Sequence, residues 1–171
     1  MPDDSQTHHR RSIRLKGYDY AQRGAYFLTI CVLGRELLLT PEPVREMVQG
    51  WWNRLPEKFP DIETDAFVIM PNHIHGIIVI VGPEELGEHT GSPLPVIVQW
   101  FKTMTTNEYI RGVKNLGWRR FPNRLWQRNY WEHIVRDETD LSRIRKYILE
   151  NPTRWTEDSL HPTAPTGLED S

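Results

Sequence analysis

The sequence predicts an α+β fold: a central antiparallel sheet with two long helices on one face, and a further helix near the C-terminus. Three observations carry that expectation. Runs rich in β-branched and aromatic residues recur at 25–32, 62–70 and 73–81, the composition of strands on a pleated, buried surface. Only Pro71 and Asn72 separate the second run from the third, so a tight turn or bulge joins them. Two longer segments, ending near Leu55 and Arg111, repeat apolar residues at helical spacing.

The first strand is the run Ala25, Tyr26, Phe27, Leu28, Thr29, Ile30, Cys31 and Val32. Gly34, Arg35 and Glu36 break it, and Leu37, Leu38 and Leu39 offer a short partner strand. Thr40 before Pro41 marks a helix start. Val44, Met47, Val48, Trp51, Trp52 and Leu55 then form one apolar stripe up to Pro56, with both tryptophans expected in the core. In the 73–81 strand both faces are apolar beyond the histidines, which places it centrally in the sheet. Gly76 signals a close backbone approach beside those histidines. Residues 82–95 read as a Gly/Pro/Glu-rich loop, followed by an amphipathic helix over about 94–111. Basic residues interleave with Trp118 and Phe121 over 112–123, and short strands are expected at 125–128 and 130–135. Asp137 or Thr139 caps a last helix, with Leu141, Ile144 and Ile148 as its core stripe and Pro152 as its stop.

At 171 residues the chain fits one domain with ragged ends. The expected organisation is a flexible basic arm at 1–13, a domain at 14–155 and an acidic, disordered tail at 156–171. One cysteine, Cys31, precludes an internal disulfide and fits a reducing, cytoplasmic setting. No segment has the apolar length of a membrane span. The formal charge of −2 conceals an uneven distribution: from Arg111 to Lys146 there are ten Lys or Arg against four Asp or Glu. A basic face can therefore sit on a near-neutral molecule. Cations interleaved with aromatic rings suit single-stranded nucleic acid, whose phosphates and bases they match in turn.

The chemistry concentrates at Met70, Pro71, Asn72, His73, Ile74 and His75. In a strand, side chains alternate, so His73 and His75 share one face about 7 Å apart along the chain. Two imidazoles on one face make a metal-binding edge. In the last helix Tyr147 and Asn151 are four residues apart and lie together on the flank of the core stripe, from which a tyrosine can lean over the histidine end of the sheet.

An ordered set of motifs extends this pattern. Tyr18-Asp19-Tyr20, Gly24-Ala25-Tyr26-Phe27-Leu28-Thr29, Met70-Pro71-Asn72-His73-Ile74-His75, Trp126-Gln127-Arg128, Tyr130-Trp131-Glu132-His133 and Tyr147-Ile148-Leu149-Glu150-Asn151-Pro152 follow one another along the chain. Together they resemble the REP-associated tyrosine transposases, IS200-like members of the single-tyrosine HUH (His-hydrophobe-His) transposases, over about Arg14 to Trp155. The resemblance implies a ferredoxin-like or RRM-like palm. It also implies a single-stranded DNA endonuclease and strand-transferase, with His73 and His75 holding a divalent metal, Mg²⁺ or Mn²⁺, and Tyr147 as the nucleophile. The related insertion-sequence transposases complete the metal site with a glutamine where this chain has Asn151; His133 is the rival third ligand. The implied substrate is a single strand with a palindromic hairpin, bound by a monomer or homodimer. Arg14, Lys16, Lys114, Arg119, Arg120 and Arg128 are the expected DNA contacts. Two other readings stay open on the residues alone. One is a non-catalytic RRM-like module that binds single-stranded nucleic acid. The other is a metal-dependent phosphodiesterase whose nucleophile is water.

Overall fold

The computed structural model describes residues 24–81 and 93–164. The elements run β1 (Gly24–Cys31), a 3-10 turn (Leu33–Arg35), α1 (Glu42–Asn53), α2 (Leu55–Lys58), β2 (Ile62–Met70), β3 (His73–Ile80), α3 (Leu94–Leu116), β4 (Trp131–Ile134) and α4 (Glu138–Glu150), followed by a 3-10 segment (Asn151–Glu157). The four strands form one antiparallel sheet in the order β2-β3-β1-β4. β3 is central, as its two apolar faces require.

Alternation along the strands sorts the core into two layers. On one face Tyr26, Leu28, Ile30, Ile74, Ile78 and Ile80 pack against Val44, Val48 and Trp52 of α1 and Ile97, Val98 and Phe101 of α3. On the other face Phe27 and Ile77 meet Ile144 and Ile148 of α4. The two long helices thus share one side of the sheet and the tyrosine-bearing helix crosses the other. Two clamps hold α4 there. Asp137 Oδ1 caps it by accepting from Asp140 N at 2.8 Å, while Asp140 Oδ2 pairs with His133 Nε2 of β4 at 2.9 Å. One turn before the end, Arg145 donates a fork to Asp65 of β2, at 2.9 and 2.6 Å.

Several expectations change. Leu37, Leu38 and Leu39 form no strand; Leu38 and Leu39 are buried in a turn, and Leu39 N donates to Pro71 O at 3.0 Å. α3 runs on to Leu116, because Gly112 lets the Trp118 ring lie against the helix and Gly117 closes it in the left-handed conformation, φ 72°. Trp118 and Phe121, both half-buried, turn onto Tyr109, with ring centroids 5.3 and 5.5 Å away, and pack against the core. Residues 125–128 make only a single bridge, Val32 to Trp126. Gly76 does mark a close approach, but to Trp52 on the α1 side, opposite the histidines. Past Pro152 the chain continues as a 3-10 segment and folds back, and Leu160 is buried. Of the expected tail, residues 156–164 are described; Leu160 is buried, and Asp158, His161 and Ala164 are half-buried. Arg14, Lys16 and the basic arm lie outside the described residues. Among the described residues no helix is long and apolar enough to cross a membrane.

Candidate active site

β3 leaves the turn at Pro71 and Asn72 with His73 and His75 on the α4 face, both buried. Ile77 and Val79, next on that face, pack under α4 and fix the strand behind them. The two Nε2 atoms converge to 3.1 Å. A third donor joins them from the folded-back segment: Asp158 Oδ2 lies 3.5 Å from His73 Nε2. One ligating atom from each of the three residues falls within 4.8 Å of the others.

The surroundings select the imidazole tautomers. Asn72 Nδ2 donates to Leu160 O at 2.7 Å and to Arg35 O at 3.2 Å, which leaves its Oδ1 to accept from His73 Nδ1 at 2.7 Å. With the proton on Nδ1, neutral His73 directs a lone pair from Nε2 into the site. His75 Nδ1 lies 2.8 Å from Thr29 Oγ1 on β1, its register partner. When that nitrogen carries the proton, a second lone pair faces the first. Both rings are held neutral. Burial pushes the His73 pKa well below its usual 6.5, with help from the neighbouring His75 and Arg35. Burial lowers His75 to about 3, opposed by a backbone hydrogen bond at Leu28.

Donor atoms about 2.1 Å from one cation, at angles between octahedral and tetrahedral, stand about 3.0–3.4 Å apart. The separation of the two Nε2 atoms falls in that interval, and both imidazoles are in the neutral form that ligates. Two nitrogens and one carboxylate are a donor set for a divalent metal ion, and the residues present fit one.

Tyr147 stands over the same face. Its ring centroid is 5.4 Å from that of His75 and 6.1 Å from that of Phe27, while the residue stays about half exposed to solvent. Burial raises its pKa above 10, a hydrogen bond from Asn151 lowers it, and the charge of Asp158 raises it again. Asn151 is buried, and its Nδ2 donates to the main-chain oxygen of Tyr147 at 3.1 Å. His133 is engaged by Asp140 at the start of α4. The basic residues are spread more widely: Lys114, Arg119, Arg120 and Arg128 are all exposed, and Arg119 pairs with Glu36 at 2.8 Å. Asn72 belongs to the histidine motif, but the pattern assigns it no role, and nothing in the sequence pattern marks Asp158. The one faint signal for the latter is Leu160, a lone apolar residue in a polar stretch.

With this geometry in view, residues 21–151 match the model of the family described as IS200-like transposases. The chain belongs to the IS200-like transposase family. It is accordingly a transposase, a DNA-cleaving enzyme. An uncharacterized protein of Haemophilus influenzae is 39% identical over 171 residues, covering 90% of this chain and 94% of its own. The REP-associated tyrosine transposase of Escherichia coli K12 is 25% identical over 159 residues, covering 87% and 84%. A solved structure of a REP-associated tyrosine transposase bound to a REP hairpin shares the fold. Its TM-score is 0.61 at 20% identity, and the match covers 91% of this chain and 93% of that one. The family match takes in His73, His75, Tyr147 and Asn151 but ends before Asp158.

Proposed function

We propose that this transposase cleaves single-stranded DNA beside a hairpin through a covalent tyrosine intermediate. Attack of Tyr147 Oη on the scissile phosphorus forms a 5′-phosphotyrosine bond, and the 3′-oxygen leaves and takes up a proton. The bond energy kept in that link allows a later 3′-hydroxyl to displace the tyrosine without ATP. The observation that carries this reading is the Tyr147 ring set 5.4 Å from His75, over the converging histidine nitrogens.

His73, His75 and Asp158 are the residues that would hold a divalent ion, Mg²⁺ or Mn²⁺, which supplies Lewis-acid neutralisation of charge on the phosphate oxygens. The protein's own residues do the rest. Asn72 sets the tautomer of His73, Thr29 hydrogen-bonds His75 Nδ1, and Asn151 donates to the Tyr147 main-chain oxygen at the end of α4. Phe27 and Ile148 set the height of the ring above the sheet. Lys114, Arg120 and Arg128 are exposed cations suited to the hairpin's phosphates, and Arg119 is available once Glu36 releases it.

The test is incubation with Mg²⁺ or Mn²⁺ and end-labelled hairpin single-stranded DNA, followed by a denaturing gel. A protein-linked band that disappears in Tyr147→Phe is expected. Cleavage surviving in Tyr147→Phe would assign the nucleophile to water, and tight binding without any cleavage would favour a binding module.

A further inference from the structure

The roll of α4 decides where the Tyr147 phenol stands. α4 rests on the sheet along the line of Ile144 and Ile148. At 100° per residue, Arg145 and Tyr147 lie about 80° to either side of that line. A roll of about 10° moves a tyrosine hydroxyl, about 9 Å from the helix axis, through roughly 1.5 Å. Apolar burial resists such a roll weakly, because it has no direction. Two polar ties resist it directly. Asp140, on the Tyr147 flank, is bonded to His133 of β4, and Arg145, on the opposite flank, is bonded to Asp65 of β2. β4 and β2 are the two edges of the sheet, so α4 is held down on both sides.

The β2 tie depends on an irregularity in that strand. Thr64 is the register partner of Ile78 and Phe67 that of Gly76, so Asp65 and Ala66 stand together opposite Ile77. This is a β-bulge, with one residue more on β2 than on β3. Its effect shows in where the neighbouring side chains go. Ile62 packs in the α1 layer and Phe67 stacks on Trp52 of α1, whereas Ala66 and Val68 pack in the α4 layer. Strict alternation counted back from Val68 and Ala66 would turn Asp65 to the α1 side. The extra residue keeps it on the α4 side. There Asp65 Oδ1 accepts from Ala66 N at 2.7 Å and from Arg145 Nε at 2.9 Å, and Oδ2 accepts from Arg145 Nη2 at 2.6 Å. Two parallel bonds fix direction as well as distance.

We infer that Asp65 and Arg145 are positioning residues for Tyr147: the bulge in β2 aims the carboxylate, and the fork fixes the roll of α4 that holds the phenol over the histidine pair. This role rests on the reading of Tyr147 as the nucleophile. Arg145 is two residues from Tyr147, and a displacement of about 1 Å at a reacting group is enough to cost about 100-fold in rate. An ordinary half-exposed ion pair would contribute little to stability and nothing to the rate of the folded enzyme. A carboxylate repels phosphates, so its removal separates positioning from DNA binding.

The test compares the full chain with its Asp65→Asn and Arg145→Lys variants. The first keeps the shape of Asp65 without its charge, and the second keeps the cation without the fork. With saturating end-labelled hairpin single-stranded DNA and Mn²⁺, the single-turnover rate of adduct formation per folded molecule should fall about 10- to 100-fold in both variants. DNA affinity, read by fluorescence anisotropy, should not weaken in Asp65→Asn. A second readout needs no cleavage. The His75 ring has its centroid 5.4 Å from that of Tyr147, so its ring-proton resonances report the placement of the phenol. In both variants they should move toward their positions in Tyr147→Ala, while those of His161, set against Trp155, stay in place. His75 resonances that do not move, with or without a fall in rate, would overturn the positioning role. So would a fall in rate that saturating DNA or a correction for unfolded protein removes. Resonances that move in variants of a parent forming no adduct would sink the nucleophile alone, and a parent adduct formed at the same rate in all three chains would sink the positioning role alone.

Discussion

Asp158 Oδ2 lies 3.5 Å from His73 Nε2, although the two residues are far apart in the chain. The contact exists because Asn72, one residue before His73, donates to Leu160 O and so fastens the returning chain to the start of β3. Trp155 completes the attachment, its ring 6.0 Å from that of His73 and 4.8 Å from that of His161. The histidine pair thus gains a carboxylate that brings negative charge to an otherwise neutral donor set.

Asp158→Ala is expected to weaken binding of Mn²⁺ by at least the 10- to 100-fold typical of losing a metal-site partner. Titration of Mn²⁺ followed by electron paramagnetic resonance measures it without reference to cleavage. Undiminished affinity would remove Asp158 from the ligand set and return the third position to Asn151.

Asn72→Ala strips His73 of its acceptor and leaves Leu160 O and Arg35 O without their donor. Metal affinity should fall by about 10- to 100-fold, and stability by about 1–3 kcal/mol, the cost of buried groups left unpaired. Asn72→Asp makes the sharper comparison: it keeps the acceptor for His73 but cannot donate to Leu160 O. Calorimetric titration of both variants separates the tautomer effect from the loss of the fold-back. If Asn72→Asp loses as much metal affinity as Asn72→Ala, tautomer control is not what Asn72 supplies.

Much of this was legible in the sequence, for identifiable reasons. β2 and β3 were readable because period-2 alternation gives way to apolar residues on both faces, which only a central strand tolerates. Tyr147 was readable because the α4 core stripe fixes the helix phase, and a residue's flank follows from phase alone. Asp158 was not, because its place depends on a reversal of chain direction held by one asparagine and one buried leucine, with no periodic pattern behind it. The longer α3 was hidden by Gly112, which reads as a helix breaker until Trp118 is seen to need its missing Cβ. The same ambiguity misplaced Gly76: a glycine in a strand announces a close neighbour but not on which face.

The Asp140 cluster links acid stability to the placement of α4. Burial pushes the Asp140 carboxyl up, but hydrogen bonds from His133, the Arg136 main chain and Arg143 outweigh it and hold the pKa at about 2, against 3.8 ordinarily. The folded-state value lies below the unfolded one, so the stabilisation is fully present above about pH 4 and is lost as pH falls toward about 2. It amounts to about 2 kcal/mol. Asp140→Asn should therefore lower the urea midpoint at pH 7, and the gap to the parent should close near pH 2–3. A gap independent of pH would show that the carboxylate's charge contributes nothing there.

Gly76→Ala tests the separation of the two faces. A Cβ at this position would fall inside the contact surface of the Trp52 ring and 3.0 Å from Phe67 Cδ2. Trp52 cannot retreat easily, since it is stacked on Phe67 at 4.3 Å and set edge-on to Phe101 at 5.8 Å. Overpacking of this kind costs about 1–3 kcal/mol, read from denaturant unfolding. The strain falls on the α1 side, whereas His73 and His75 project to the α4 side, so Mn²⁺ affinity per folded molecule should stay within about twofold of the parent. Trp52→Leu in the same chain should make Gly76→Ala much less costly, giving a favourable coupling energy in a double-mutant cycle. Additive losses would mean that the clash is relieved by movement of β3, and metal affinity should then fall with it.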